Sequence, residues 1–540
     1  MNPEIRAGWP GGGRLVQDYL AGRERATRFF ARPFQEDGAL EAHAAVLGGR
    51  SAEWRARAAH VLRSANPDTR ARIDAWEAEG GFVVTTGQQP GLLTGPLFAV
   101  HKALTALALA RRWSERLGRP VLPVFWVASE DHDWEEANHT WLLDDRERPH
   151  RIEARAAEPP ADRPLFRVPL TGSDALLAQV RDLIPDKGFG ADCLEQVRAA
   201  YPERCTLPDG FTHLLRTWLG PLGLLVLRAD DPALKEASAD LLHAELDRSQ
   251  ETEAVLRDRA SALASAGYDV QVHILDGALN LFLEGPAGRE RIYRDGDGLY
   301  LHGSGTRIDH EELRARCAAD PSVLSPNVLL RPVVESAVLP VLAYVAGPGE
   351  LAYWAELEPL FRTLDVPMPI VHPRLSVTVV EPQVRKILDK RGLAPQDLAR
   401  PEHELTSDLA RQEMPVEART ALARLRGELT SGTDALSAAT RALDPTLDGP
   451  ITHARTAALR AVDKAETKIL RAVKRENEVL LGQVDRARQH LAPLGAPQER
   501  VLNVVQYLAR YGPGLLTDLL ERCEAVLDAG SAVATPAEPR

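Results

Sequence analysis

The stretch from Gly81 to Ser129 restricts the fold of this chain more than any other. GFVVTT, residues 81–86, is a short apolar β-branched run of the kind that forms a buried strand. GQQPGLLTG follows, a loop with three glycines and one proline. Pro96 then opens a helical pattern, PLFAVHKALTALALARRWSERLG, with proline where a helix favours it and Gly118 at the end. PVLPVFWVAS, residues 120–129, predicts a second buried strand, and it runs directly into EDHDWEEANH, residues 130–139. Strand, helix, strand is a βαβ unit, so the fold class is α/β, with a parallel sheet and helices on its faces. Ligands bind such sheets at the carboxyl ends of the strands. Both unusual loops, GQQPGLLTG and EDHDWEEANH, leave from those ends, which predicts a shared site between them.

The rest of the chain divides around that unit. Residues 1–145 hold N-terminal helices and the first half of the core, with TWLLD as a third short strand candidate. Residues 146–221 are proline-rich with short helical patterns and predict an insertion. LGLLVLRAD, residues 222–230, returns to the sheet, and a long helix runs to about Ala266, closing a core segment at 222–267. Residues 268–323 alternate in the strand manner with turn signals and predict a small antiparallel β unit. Residues 324–382 read as the second half of the core, with VLPVLAYVAG as a buried strand and GPGE as a turn into a helix. From 383 to 495 apolar residues recur at spacings of three, four and seven: Leu422, Leu425, Leu429 and Leu436, then Val462, Ile469, Val473 and Leu480. Pro445 and Pro450 mark the join of an antiparallel helical hairpin or coiled coil, serving as a dimer arm or as a pair packed on its own core. Residues 496–540 predict helices returning to the core and, from Gly530, a frayed tail.

A chain of 540 residues exceeds one ordinary core. Its net charge of −12 argues against a nucleic-acid binder, whose footprint would be basic. No run approaches the roughly 20 apolar residues of a membrane helix, and the first residues lack the apolar core of a signal peptide. Cys193, Cys205, Cys317 and Cys523 are scattered, so neither a disulfide framework nor a cysteine zinc site is expected, and a reducing cytoplasm is.

Chemistry concentrates in three places. A glycine-rich turn before a helix can present backbone N–H groups to an anion, so Gly87, Thr94 and Gly95 are candidate nucleotide- or substrate-binding residues, with the amides of Gln88 and Gln89 beside them. The loop is neither a Walker A sequence nor GxGxxG. His101 and Lys102 lie one turn into the helix, about 100° apart, so one is expected to face the site and the other solvent. EDHDWEE places Glu130, Asp131, His132, Asp133, Glu135 and Glu136 within seven residues. Such a cluster can hold Mg²⁺ or a general base. In an extended segment Asp131 and Asp133 would face one way and His132 the other. Read blandly, the same acids favour a helix N-terminus. His132 and His139 do not have zinc-protease spacing. Asn327, Arg331 and Glu335 are spaced by four and share a face if helical, either for carboxylate recognition by Arg331 or as an intrahelical ion pair. GPGE, beginning at Gly347, is placed to border the same crevice.

TTGQQPGLLTGPLFAVHKA, PVFWVASEDHDWEEANH, SPNVLLRPVVESAVLPVLAYVAGPGELAYWAEL, VHPRLS and the closing ERVLNVVQYLARYG resemble, in this order, the motifs of the bacillithiol-synthesis cysteine ligase family, BshC. The resemblance spans about residues 80–515. His372 before Pro373 and Arg374 is a small departure. The resemblance implies a Rossmann-like core with inserted connective segments and a C-terminal α-helical coiled coil that dimerises. It implies L-cysteine joined through its carboxyl to the amine of glucosaminyl malate, and no nucleic-acid or membrane partner. Amide formation from a free carboxylate calls for activation, so ATP is expected and Mg²⁺ with it. On that expectation Asp131 and Asp133 hold a metal or orient the amine, His132 takes its proton, and Arg331 binds a carboxylate. Glu130, Asn138, Tyr353 and Arg374, which lie in the matching motifs, join the candidate binding set. A metal-dependent amide or ester hydrolase and a non-enzymatic dimeric scaffold are the alternatives.

Overall fold

The structure, a computed structural model, describes residues 2–185, 187–296 and 298–529, so the expected frayed tail from Gly530 lies outside the described residues. The chain falls into two compact units. Val380–Gln498, with the few residues up to Glu4, forms one; Ile5–Val379 and the chain from Glu499 onward form the other.

The larger unit is built on a parallel sheet. In chain order it contains β1 (Phe82–Gln88), α1 (Leu97–Leu117), β2 (Val121–Val127), β3 (Leu225–Arg228) and α2 (Pro232–Ser265). An antiparallel sheet follows, formed by β4 (Ala278–Gly285), β5 (Gly288–Asp295), β6 (Gly298–Leu301), β7 (Arg307–Ile308) and β8 (Leu324–Pro326). Then come α3 (Arg331–Val338), β9 (Val341–Ala346), α4 (Pro348–Trp354) and β10 (Ile370–Pro373). The spatial order of the parallel sheet is β10-β9-β1-β2-β3, and every adjacent pair is parallel. Counted from β3, the strands run third, second, first, fourth, fifth, the order of a Rossmann-like core. The direction of winding reverses between β1 and β9, so the crevice of such a sheet opens there.

Sequence chemistry accounts for these elements. Every residue of β2 and β9 is buried, as the near-continuous apolar runs of a sheet covered on both faces require. β1 and β2 pair in unbroken register from Phe82↔Val121 to Gln88↔Val127, which brings Gly87 beside Trp126. A Cβ on Gly87 would lie 3.0 Å from the Trp126 carbonyl oxygen, a contact so tight that a side chain there would push the two strands apart by a few tenths of an ångström. α1 follows Pro96 and ends at Gly118 in the left-handed conformation, as expected. α2 starts at Pro232 behind Asp231, whose carboxylate caps the Ala233 and Leu234 N–H groups.

Two boundaries differ from expectation. Leu324–Pro326 was expected to open the second half of the core. It is instead the edge strand of the antiparallel sheet, paired with β4. A three-residue strand ending in proline carries no periodicity, and its partner is set by tertiary contact. TWLLD does form a strand, His139–Leu143, but it pairs antiparallel with Pro149–Glu153, outside the parallel sheet.

The smaller unit is helical, as expected. Its long helices are α5 (Val416–Arg441) and α6 (Asp448–Glu476), joined at Pro445–Leu447, and α7 (Glu478–Leu491) follows. No residue of α5 is buried, and Leu425, Leu436 and Leu443 are 44%, 51% and 82% exposed. Leu470 and Val473 of α6 pack with Ala410 and Met414, while Leu422 is only partly covered.

Candidate functional site

At the winding reversal, a cleft of about 400 Å³ opens at the carboxyl ends of β1, β2 and β9. Its wall carries Gly87, Gln88, Gln89, Trp126, Glu130 and Asp131 from the first half of the core, and Tyr344, Glu350 and Tyr353 from the second. Asn327, just before α3, and Arg331, its first residue, also contribute, as do Phe282, Arg289 and Arg291 from the antiparallel sheet.

Behind β1, Lys102 is buried. Its ammonium donates to the Gly87 carbonyl at 2.6 Å and the Gln88 amide oxygen at 2.9 Å, and pairs with Glu350 at 2.5 Å. Burial drives the Lys102 pKa down, while Glu350 works against that shift. Glu350 in turn accepts the Tyr344 hydroxyl at 2.6 Å and the Gly347 N–H at 2.7 Å. Lys102 therefore ties the end of β1 to the turn after β9. His101 does not face solvent, nor does Lys102; both are fully buried. From Ala99 to Ala110 helix α1 is buried on all sides, which a two-way division into site face and solvent face does not anticipate.

The EDHD segment turns instead of extending. Asp131 lies on the cleft wall, with one oxygen accepting the His132 N–H at 2.7 Å and the other accepting the Gln89 amide. Asp133 is exposed and accepts the Glu136 N–H at 3.0 Å, capping the short helix Trp134–Ala137. The expected common orientation of Asp131 and Asp133 is therefore replaced by a split, because the cap pulls Asp133 toward the helix. Glu130 pairs with the buried Lys235 at 2.5 Å, and Lys235 also donates to the Leu324 carbonyl. Burial raises the Glu130 pKa against the Lys235 charge. His132 is at the rim, its Nδ1 3.7 Å from Asp131 and 3.5 Å from the Arg289 guanidinium.

Arg331 and Glu335 pair at 3.0 Å along α3, fulfilling the intrahelical ion pair, and Arg331 also lies over the Tyr344 ring at 5.1 Å. Asn327 precedes the helix; its side-chain oxygen accepts the Leu329 and Leu330 N–H groups. Trp126 Nε1 and Arg331 Nη2 on this wall are buried donors without an acceptor among the described residues.

Other candidates belong to the architecture. Arg374 is buried and bound bidentately by Glu499, at 2.8 and 2.6 Å, and the same carboxylate meets His101 Nδ1 at 3.0 Å. Asn138 is buried and donates to Glu153 at 3.3 Å. Thr94 and Gly95 lie in a sealed loop: Leu93, Thr94 and Gly95 all have positive φ, and the Asn503 amide donates to the Leu93 and Gly95 carbonyls at 2.8 and 2.7 Å. The Leu97 N–H at the start of α1 donates to the Leu502 carbonyl. The anion site expected at this helix start is thus taken up by the chain's own C-terminal segment.

Phe282, Arg289 and Arg291 escaped sequence reasoning. RERIYR reads as an ordinary solvated strand, and only the alternation of Arg289 and Arg291 signals that they share a face. The four cysteines are buried and free, and burial pushes Cys193, Cys205 and Cys523 up to about 12, so none of these three is a poised nucleophile. Among the described residues no three His, Cys, Asp or Glu side chains converge to hold a metal, and no helix is long and apolar enough to cross a membrane.

A family model described as the bacillithiol biosynthesis BshC N-terminal Rossmann-like domain matches residues 7–375, and one for the BshC C-terminal coiled-coil domain matches residues 377–527. A protein of Salinibacter ruber named as a cysteine ligase BshC is 33% identical, covering 94% of this chain and 93% of its own length. Identically named proteins of Geobacillus kaustophilus and Desulforamulus reducens are 32% and 31% identical, covering 97% and 84% of this chain and the same shares of their own lengths.

Proposed function

The chain belongs to the bacillithiol biosynthesis BshC family, and from that premise we propose that it is a cysteine ligase that joins the carboxyl of L-cysteine to the amine of glucosaminyl malate. The observation that supports this reading best is the cleft at the winding reversal, where Asp131, steadied by Gln89, shares a wall with the guanidinium groups of Arg289 and Arg331. A carboxylate can hold an ammonium and accept its proton, and guanidinium forks match carboxylate and phosphate oxygens.

Amide formation must remove one carboxylate oxygen. With ATP as the proposed activator, that oxygen leaves with phosphate or AMP as the new C–N bond forms. Asp131 orients the amine, and its proton passes to Asp131 or to His132 at the rim. Phosphate binding falls to the guanidinium groups of the wall, because the start of α1 is closed. Asp131 and Asp133 are each committed to separate backbone and amide groups, so Mg²⁺ is proposed to arrive with the nucleotide phosphates and not on a two-aspartate site. The exposed Leu425, Leu436 and Leu443 favour a second copy of the helical arm, giving a homodimer testable by sedimentation of a variant carrying Leu425→Glu and Leu436→Glu. The cytoplasm is the proposed compartment.

The deciding experiment is a mass-spectrometric thiol profile of cells lacking the gene, in an organism with no second copy. Loss of bacillithiol with accumulation of glucosaminyl malate is expected. Unchanged bacillithiol would sink the ligase reading.

A further inference from the structure

The antiparallel sheet inserted before α3 contributes something the parallel core does not. Arg289 and Arg291 alternate along β5 and both lie over Phe282 of β4, at 4.0 and 5.0 Å from the ring centre; Arg291 and Phe282 are direct cross-strand partners. The two arginines nevertheless have different surroundings. Arg289 is fixed: it donates to the Ser325 hydroxyl at 2.9 Å and the Pro326 carbonyl at 2.7 Å, and the charges of Glu130 and Asp131 favour its cationic form. The Arg291 guanidinium has no hydrogen-bond or carboxylate partner among the described residues, although it lines the same cleft.

Three other cations close to the cleft are matched by single carboxylates. Lys102 has Glu350, Lys235 has Glu130, and Arg331 has Glu335. Two guanidinium groups over one ring repel each other, and the ring face answers only part of that charge. An oxyanion set against Arg291 would neutralise the surplus, and its fork offers two parallel N–H donors for the purpose.

We propose that Arg291, positioned on Phe282 beside the fixed Arg289, is a substrate-binding residue that recognises an oxyanion group in the cleft, so that the inserted sheet acts as the specificity arm of the enzyme. This rests on the ligase reading for the identity of the ligands. The shared chemistry is a carboxylate or phosphate oxygen pair, supplied either by the malyl group of the acceptor or by a nucleotide.

The test is calorimetric titration of the full-length protein with L-malate and, separately, with ATP, comparing the native chain with Arg291→Gln and Arg291→Lys. The expected result is a loss of about tenfold or more in affinity for one of the two in Arg291→Gln, the scale of one charge-assisted contact, with partial recovery in Arg291→Lys. Loss for L-malate alone assigns the acceptor's carboxylates; loss for ATP alone assigns the phosphates. Equal affinities across the three proteins overturn the proposal, as does a native chain that binds neither probe. Because the readout is binding, it is separate from the thiol profile: an Arg291-dependent affinity with unchanged bacillithiol would retain the subsite and discard the ligase reading.

Discussion

The loops that leave β1 and β2 begin alike, at the carboxyl ends of neighbouring buried strands, and they end in opposite conditions. Beyond Gln89 the β1 loop turns inward. Leu93 and Thr94 hold positive φ, unusual for side-chain-bearing residues, and Asn503 ties down the carbonyls on either side of Thr94. The β2 loop turns over the cleft and leaves Asp131 on its wall, partly exposed, with His132 at the rim. The glycine-rich loop, expected as an anion cradle, is largely architectural, whereas the acidic loop keeps a carboxylate on the cleft. Strain held by hydrogen bonds from a distant segment marks a structural device here, and charge left within reach of a cleft marks chemistry.

That contrast can be broken by substitution. On the open side, Asp131→Asn keeps the size, keeps the Gln89 contact once the Gln89 amide turns its oxygen to accept, and removes the base; turnover is expected to fall about 10²- to 10⁴-fold, with the melting temperature nearly unchanged. His132→Ala is expected to lower turnover by a similar mechanism if the rim histidine is the final proton acceptor, and steady-state rates of the two variants separate the roles. Full activity in Asp131→Asn would erase the distinction between the loops.

On the sealed side the expected signature is reversed. Glu499→Gln leaves Arg374 buried without its counter-charge, which costs about 3–5 kcal/mol by denaturant titration. Burial works to raise the Glu499 carboxyl, but the His101 contact and Arg374 outweigh it and hold the carboxyl below the usual carboxylate range. A depressed folded pKa means that the stabilisation is fully present above the ordinary value of 4.5 and is lost as pH falls through the folded value below it. The stability gap between native and Glu499→Gln proteins should therefore stay constant from neutral pH down to about 4.5 and close only in stronger acid. A gap that closes above pH 5 would contradict the network.

Asn503→Ala should cost about 2–3 kcal/mol, since it strips the donor from two carbonyls in a strained turn. KM for ATP and cysteine in the folded fraction should hold; a raised KM for ATP would restore the β1 loop as a phosphate cradle. The smallest effect belongs to the helical arm. Arg455→Ala removes an exposed pair with Asp434 and should change stability by less than about 1 kcal/mol.

Much of the core was legible because its signals are local. The runs at 81–86 and 120–129 became β1 and β2, and Pro96 and Gly118 bounded α1, since burial of both sheet faces demands continuous apolar residues and helix ends demand particular backbone angles. Gly87, Gln88, Gln89, Glu130, Asp131, Asn327, Arg331 and Tyr353 all reached the cleft wall. Asp133, Asn138, Thr94, Gly95, His101 and Arg374 did not, each for a nameable reason: a helix cap, a hairpin contact, a strained turn, or the Glu499 carboxylate. That carboxylate arrives from 125 residues beyond Arg374, and no spacing rule reaches so far.

Period, punctuation and motif order by themselves determined the α/β class, the long helices, the family and the two loops from which the site is drawn. Which loop opens and which closes was decided by tertiary structure alone, when Glu499, Leu502 and Asn503 seated against α1 and the inserted sheet brought Arg289 and Arg291 to the cleft. The reason is physical: local sequence specifies backbone geometry, whereas whether a polar group is spent or available depends on partners that only folding brings within hydrogen-bond distance.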